Sequence, residues 1–167
     1  MNSALFIGRF QPFHNAHLKD VKDMVKKHGE IIIGIGSSQE KRTKDNPFSY
    51  NERKEMISKT LKANKIKKFK IYPVSDLYDD KKWVDYILKN LPKFDVAYSG
   101  NEWTIKCFRK HNIKAKKIKL EKGINSTKIR EMIVKNKEWW KFVPKEIADY
   151  IKKIKGSERI RKIYSKR

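Results

Sequence analysis

The residues with the most chemistry in this chain stand in one short string: Gly8, Arg9, Phe10, Gln11, Pro12, Phe13, His14, Asn15, Ala16, His17. A glycine leaving an apolar run, with a helix starting a few residues later, turns backbone N–H groups and the positive end of a helix dipole toward an anion such as phosphate. His14 and His17, spaced i and i+3 in the expected first helical turn, share a face and can reach the same anion. A His-x-x-His pair also fits a metal site or plain surface polarity. Against zinc, no third ligand is obvious and the chain has a single cysteine, Cys107. Ser126, Thr127 and Arg130 repeat the theme, with capping hydroxyls and then a guanidinium at a helix start, where the dipole opposes a cation unless an anion is present. No Ser/His/Asp array or carboxylate pair accompanies these groups. What they offer is positioning and neutralisation of charge.

The surrounding periodicity predicts the elements that must position them. Residues 4–8 form a continuous apolar run, and Leu18, Val21, Met24 and Val25 recur at helical spacing over 16–28. Residues 31–36 read as a second buried strand, followed by a long polar loop; Ser49 and Glu52 make a capping box that announces a helix over 50–63. Further strands are expected at 69–74, 94–100 and 115–120, the last a polar-alternating edge, with helices around Trp83 and over 102–110 between them. Ile129, Met132 and Ile133 mark another helix, and Pro144 at a first helical position opens one through 154, with a basic tail beyond. Strand and helix alternate, which predicts an α/β fold: a doubly wound parallel five-stranded sheet with C-terminal helices. Ligands bind such sheets at the carboxyl ends of the strands, where the polar loops all fall.

At 167 residues the length fits one domain, 1–167, divided into a core over 1–123 and a C-terminal helical part over 124–167. Lys plus Arg number 42 against 19 Asp plus Glu, a net charge of +23, which points to a polyanionic partner or to compositional drift. Only eight of the basic residues are arginine, and the lysines are scattered, so charge alone does not choose. There is no basic n-region before the first apolar run and no apolar stretch of membrane-spanning length, and the lone cysteine fits a reducing compartment. A cytoplasmic protein with no membrane partner is expected.

GRFQPFHNAH closely resembles the G-R-F-Q-P-F-H-x-G-H signature of the HxGH nucleotidyltransferases, with Ala16 in place of the glycine, and INSTKIR (124–130) resembles their I-S-S/G-T-x-I-R signature, with Asn125 in place of a serine. The strings GSSQEKRTKDNPFSYNER (36–53), YSGN (98–101) and KGSERIRKI (155–163) resemble the archaeal nicotinamide-nucleotide adenylyltransferases within that superfamily. The departures are Lys41 and Arg42 where Ser-His is usual, and Glu102 and Trp103 where Pro-Leu is common.

The resemblance implies a Rossmann-like nucleotidyltransferase that joins ATP and nicotinamide mononucleotide into NAD and pyrophosphate, with Mg²⁺ held mainly through the ATP phosphates. It implies that His14 and His17 donate to those phosphates, that Arg130 holds the β and γ phosphates, and that Arg9 neutralises charge where the substrates meet. Gly8, Phe10, Gly100, Asn101, Ser126, Thr127 and Arg42 join the expected ATP site. Trp83, Asp76 and Asn46 are expected at the mononucleotide. It also implies a homo-oligomer and no specific nucleic-acid partner. A sister enzyme acting on phosphopantetheine or flavin mononucleotide, or a non-catalytic basic nucleic-acid-binding module, are the alternatives. Trp83 and Asp76 have bland readings too, core packing and helix capping, and Arg42 and Arg53 read as phosphate contacts or solvated charges.

Overall fold

A computed structural model describes residues 2–166. Five parallel strands, β1 (Ser3–Gly8), β2 (Glu30–Ile35), β3 (Phe69–Pro73), β4 (Val96–Ser99) and β5 (Ala115–Lys117), form one sheet in the order β3-β2-β1-β4-β5. Between them run α1 (Asn15–His28), α2 (Tyr50–Ala63), α3 (Asp80–Asn90) and α4 (Glu102–Lys110). After β5 come α5 (Ser126–Val134), one 3-10 turn at Trp139–Phe142, α6 (Lys145–Lys153) and α7 (Gly156–Ser165).

Alternation along the central strands sends side chains to two cores. Phe6, Ile31 and Ile33 face α1, α2 and the C-terminal helices, while Leu5, Ile7 and Ile32 face α3 and α4. Both faces are covered, as the near-continuous apolar runs of β1 and β2 require. Ser49 and Glu52 form the expected reciprocal cap of α2.

Four elements differ from expectation. β5 stops at Lys117 because residues 118–121 leave the sheet edge to wall a cavity. The cap of α5 is Asn125, whose side chain accepts from Lys128 N at 2.8 Å, with Ser126 and Thr127 inside the helix; Pro144 caps α6 from just outside it. The basic tail is α7, which buries Ile160 in the core and packs Gly156 so closely that a Cβ there would lie 3.0 Å from Ile151 Cγ2.

Candidate active site

The strand order reverses at β1, and a cavity of about 320 Å³ opens at the carboxyl ends of β1 and β4. The first loop contributes Gly8, Arg9, His14 and His17 to its wall, the end of β4 Gly100 and Asn101. Asp76, Trp83, Trp103 and Ser126 complete the part of the lining that bears on chemistry.

Backbone hydrogen bonds explain the shape of the first loop. Gly36 N donates to Gly8 O at 2.8 Å, and Phe10 (φ +53°) folds back so tightly that a Cβ on Gly8 would stand 2.9 Å from Phe10 Cζ. Arg53, with 0% of its surface exposed, donates to the carbonyls of Arg9 and Gly36 at 2.8 Å each and of Ser37 at 3.1 Å. Arg130 donates to the Gln11 carbonyl at 2.9 Å, and Ser126 Oγ to that of Pro12 at 2.9 Å. The Gln11 side chain is locked at both ends, donating to Phe48 O at 2.9 Å and accepting from Phe48 N at 3.0 Å. Carbonyls taken by interior donors cannot face a phosphate, so the loop's remaining groups toward the cavity are donors and one cation.

The histidines are held by one another. His14 caps α1: its Nδ1 accepts from His17 N at 3.4 Å, while His17 Nδ1 accepts from His14 N at 3.1 Å. The rings stack at 3.6 Å between centroids, and Phe10 and Phe13 close on His17 at 4.9 and 5.3 Å. Burial therefore lowers His14 to about 4, and burial and then the neighbouring His14 push His17 well below its ordinary value. Both imidazoles are neutral at neutral pH. With each Nδ1 accepting, the proton is on Nε2, and each ring is a fixed, uncharged N–H donor. A second carboxyl on the cavity wall, Asp20, is raised to about 6 by burial and by Asp23 and Glu121.

Among the described residues no cluster of three or more His, Cys, Asp or Glu is placed to hold a metal ion. This donor set suits a divalent ion that arrives on a polyphosphate, with water completing its shell.

The pattern of the cytidylyltransferase-like family matches residues 5–132. The nicotinamide-nucleotide adenylyltransferase of Pyrococcus furiosus is 38% identical over 166 residues, covering 96% of this chain and 88% of that one. That of Methanococcus aeolicus is 38% identical over 165 residues, covering 98% and 95%. This chain belongs to the nicotinamide-nucleotide adenylyltransferase family. In structure, a bifunctional NMN adenylyltransferase/ADP ribose pyrophosphatase from Francisella tularensis superposes with a TM-score of 0.79 at 22% identity, over 96% of this chain but 52% of that one. That enzyme has also been solved with AMP and a manganese ion (TM-score 0.75, 23% identity). The family fold is thus shared, and its nucleotidyltransferase class with it.

Against the family's motifs the structure redistributes several residues. Phe10 is buried under the loop, packed edge-on against Phe6 at 5.2 Å, and props His17 without lining the cavity. Arg130 lies in the second turn of α5, 2% exposed, and its other contacts are Tyr164 Oη, Thr127 Oγ1 and Asp45. It grips the loop from behind, and Thr127 turns toward it; neither is part of the cavity lining. Arg42 is paired with both carboxylate oxygens of Glu52 at 2.9 and 3.0 Å, and Asn46 is buried in the 43–47 turn with Oδ1 unpartnered; both lie off the cavity wall. Asp76 does not cap α3, which Asp79 does; it accepts from Gln39 at 2.8 Å and joins two strand-end loops. Asp20 and Trp103 were not read as site residues, and Arg53 only as a phosphate contact or a solvated charge. Arg53 follows the Glu of a capping box, where a charge is ordinarily solvated, and nothing in the sequence marks it as buried.

Proposed function

We propose that the protein transfers the adenylyl group of ATP to nicotinamide mononucleotide, giving NAD and pyrophosphate. The observation that carries this reading is the cavity's polarity. Its lining combines Arg9 and the Nε2–H donors of His14 and His17 with two indoles and a carboxylate, Asp76. A polyphosphate suits the first and a flat cationic ring the second.

A phosphate oxygen of the mononucleotide attacks the α-phosphorus of ATP, and the bond to the bridging oxygen breaks, its electron pair leaving on pyrophosphate. A phosphate dianion needs no general base. The protein's share is orientation and relief of the charge that builds on the α-phosphoryl oxygens. His17, boxed by three aromatic rings, cannot turn away, and its N–H donates at a fixed point. Arg9, exposed on the wall, neutralises charge where the substrates meet. Gly100 and Asn101 border the adenosine; Asn101 caps α4 by accepting from Thr104 N at 3.1 Å. Arg130 acts from behind, holding the carbonyl of Gln11 out of the phosphate's way. Because α5 and α7 supply Arg130 and Tyr164, the chain works as one catalytic domain. Mg²⁺ enters with ATP; both substrates belong to the cytoplasm, where we place the reaction, and the homo-oligomer the family implies would be read by sedimentation.

The test is pyrophosphate release from ATP with Mg²⁺ and each of three acceptors: nicotinamide mononucleotide, phosphopantetheine and flavin mononucleotide. Turnover with the first alone, giving NAD, is expected. Turnover with either of the others and none with the first overturns the specificity, and salt-sensitive nucleic-acid binding without turnover overturns the class.

A further inference from the structure

Arg130, with a side chain 2% exposed, makes one short contact, from Nη1 to the Gln11 carbonyl at 2.9 Å. One contact leaves the planar group free to swing about it, so a second anchor must set its plane. Three groups stand near enough. Thr127 Oγ1, 3.4 Å from Nη2, sits one turn back on the same helix and moves with it. Asp45, 3.5 Å from Nη2, has a side chain 72% exposed, and solvent screens such a pair. The third is Tyr164 on α7, whose hydroxyl accepts from Nε at 3.3 Å and donates its own proton to the Lys44 carbonyl, also at 3.3 Å. That donation leaves only lone pairs toward Arg130, and each bond polarises the next. Helix α7 is itself anchored: Ile160 is buried in the core, Arg159 Nη1 meets both carboxylate oxygens of Glu52 at 2.9 Å, and Arg161 Nε donates to the Ile133 carbonyl at 3.1 Å.

We propose that Tyr164 is a positioning residue for adenylyl transfer: its hydroxyl sets the plane of Arg130 and, through Arg130, the Gln11 carbonyl and the first loop. The proposal rests on the substrate reading above. Tyr164 lies one residue past the string 155–163 that resembles the adenylyltransferases, so the resemblance assigns it no role. It is not part of the cavity lining, and its effect on turnover travels through Arg130. The same hydroxyl holds Lys44, in the loop after β2, so α7 ties the loops that follow β1 and β2 into one unit. Preorganised donors keep their advantage only while the groups behind them stay in place.

Steady-state kinetics of the wild type, Tyr164→Phe, Arg130→Ala and the double variant, with ATP and nicotinamide mononucleotide varied in turn, test this. Tyr164→Phe keeps the ring and loses the hydroxyl; it should lower kcat roughly three- to tenfold, with KM for each substrate within about twofold. In the Arg130→Ala background the same change should cause no further loss, because the group through which the hydroxyl acts is gone. An unaltered kcat in Tyr164→Phe, whatever happens to KM, or an equal loss in both backgrounds overturns the proposal. Should Arg130→Ala fail to fold, magnetic resonance of isotope-labelled wild type and Tyr164→Phe decides. A slowly exchanging Arg130 Nε–H signal in the first that is lost in the second is expected, and a signal present in both or in neither overturns the proposal. If the wild type itself makes no NAD, the substrate reading has failed, whereas an active wild type with an unaltered Tyr164→Phe sinks only the positioning role.

Discussion

Two irregular stretches wall the same cavity by different means. Residues 8–17 are fixed from within: Arg53 and Arg130 take the carbonyls of Arg9 and Gln11, Gln11 is locked onto Phe48, and the histidines cap one another. Residues 118–125 have one backbone bond to the sheet, Ile118 N to Ser99 O at 2.9 Å, and an exposed Lys19–Glu121 ion pair at 2.7 Å, with Leu120 and Gly123 (φ +90°) on the surface. The contrast follows the chemistry. Groups that meet the transferred phosphoryl gain from preorganisation, since any reorganisation adds to the barrier. Groups that only border the cavity are under no such demand.

The sharpest way to break this contrast is to remove Arg53. Arg53→Met leaves three interior carbonyls without their donor, and each orphaned group costs about 1–3 kcal/mol. In a domain of this size about 1 kcal/mol moves Tm by roughly 2–4 °C, so a fall of about 10 °C is expected in a thermal melt, together with at least a hundredfold loss of kcat/KM. Arg53→Lys should recover part of each. A melt within about 2 °C of the wild type would mean that the loop does not need its clamp.

Next in size are His17→Ala and Arg130→Ala, each expected to lower turnover about tenfold to a hundredfold. They differ in what else they disturb. His17→Ala should fold with a small loss of stability, whereas Arg130→Ala, which frees the Gln11 carbonyl and the Tyr164 hydroxyl, should also lower Tm by several degrees. An Arg130→Ala protein as stable as the wild type but inactive would return that guanidinium to the phosphates. On the other stretch, Glu121→Gln removes an exposed ion pair, worth at most about 1 kcal/mol, and one of the charges that raise Asp20. KM for ATP should rise no more than about threefold, and the difference should fade in high salt.

The same contrast decides what could be read in advance. The apolar runs of β1 and β2 and the Ser49–Glu52 cap are local signals, and they placed the sheet, α2 and the carboxyl-end loops correctly. The signature strings singled out the histidines and Arg9, and these residues line the cavity. What escaped is the burial of Arg53 and Arg130, because a buried cation satisfied by carbonyls has no partner in sequence: its acceptors are backbone atoms of Arg9, Gly36 and Gln11, brought near only by the fold. Helix α7 escaped because Arg159, Arg161 and Lys162 surround its thin apolar stripe, Ile160 and Tyr164. The histidines' neutrality was not legible for a related reason, since the aromatic box around them is assembled from β1, the loop and α1 together.

The smallest effect lies at Asp20, where the two stretches meet on the cavity wall. Burial, Asp23 and Glu121 raise its carboxyl to about 6 from 3.8, so between those values the folded chain holds a proton the unfolded one has released, and stability falls as pH rises through the window. His14 acts oppositely. Lowered to about 4 from 6.5, it makes the unfolded chain the better proton binder, and stability rises with pH between those values. The two offset one another from about pH 4 to 6. Asp20→Asn should therefore leave stability unchanged near pH 3.5 and raise it by about 1 kcal/mol above pH 7, roughly 2–4 °C in Tm, after allowance for partial solvent exposure. Its stability should also climb more steeply with pH than the wild type's between 4 and 6, as histidine deprotonation is no longer masked. Adding ATP to either protein at pH 5.5 should draw protons from the buffer, because a polyphosphate beside His14 raises its affinity for them. Calorimetry in two buffers of different ionisation enthalpy reads that uptake, and proton release instead would place the phosphates away from the histidine pair.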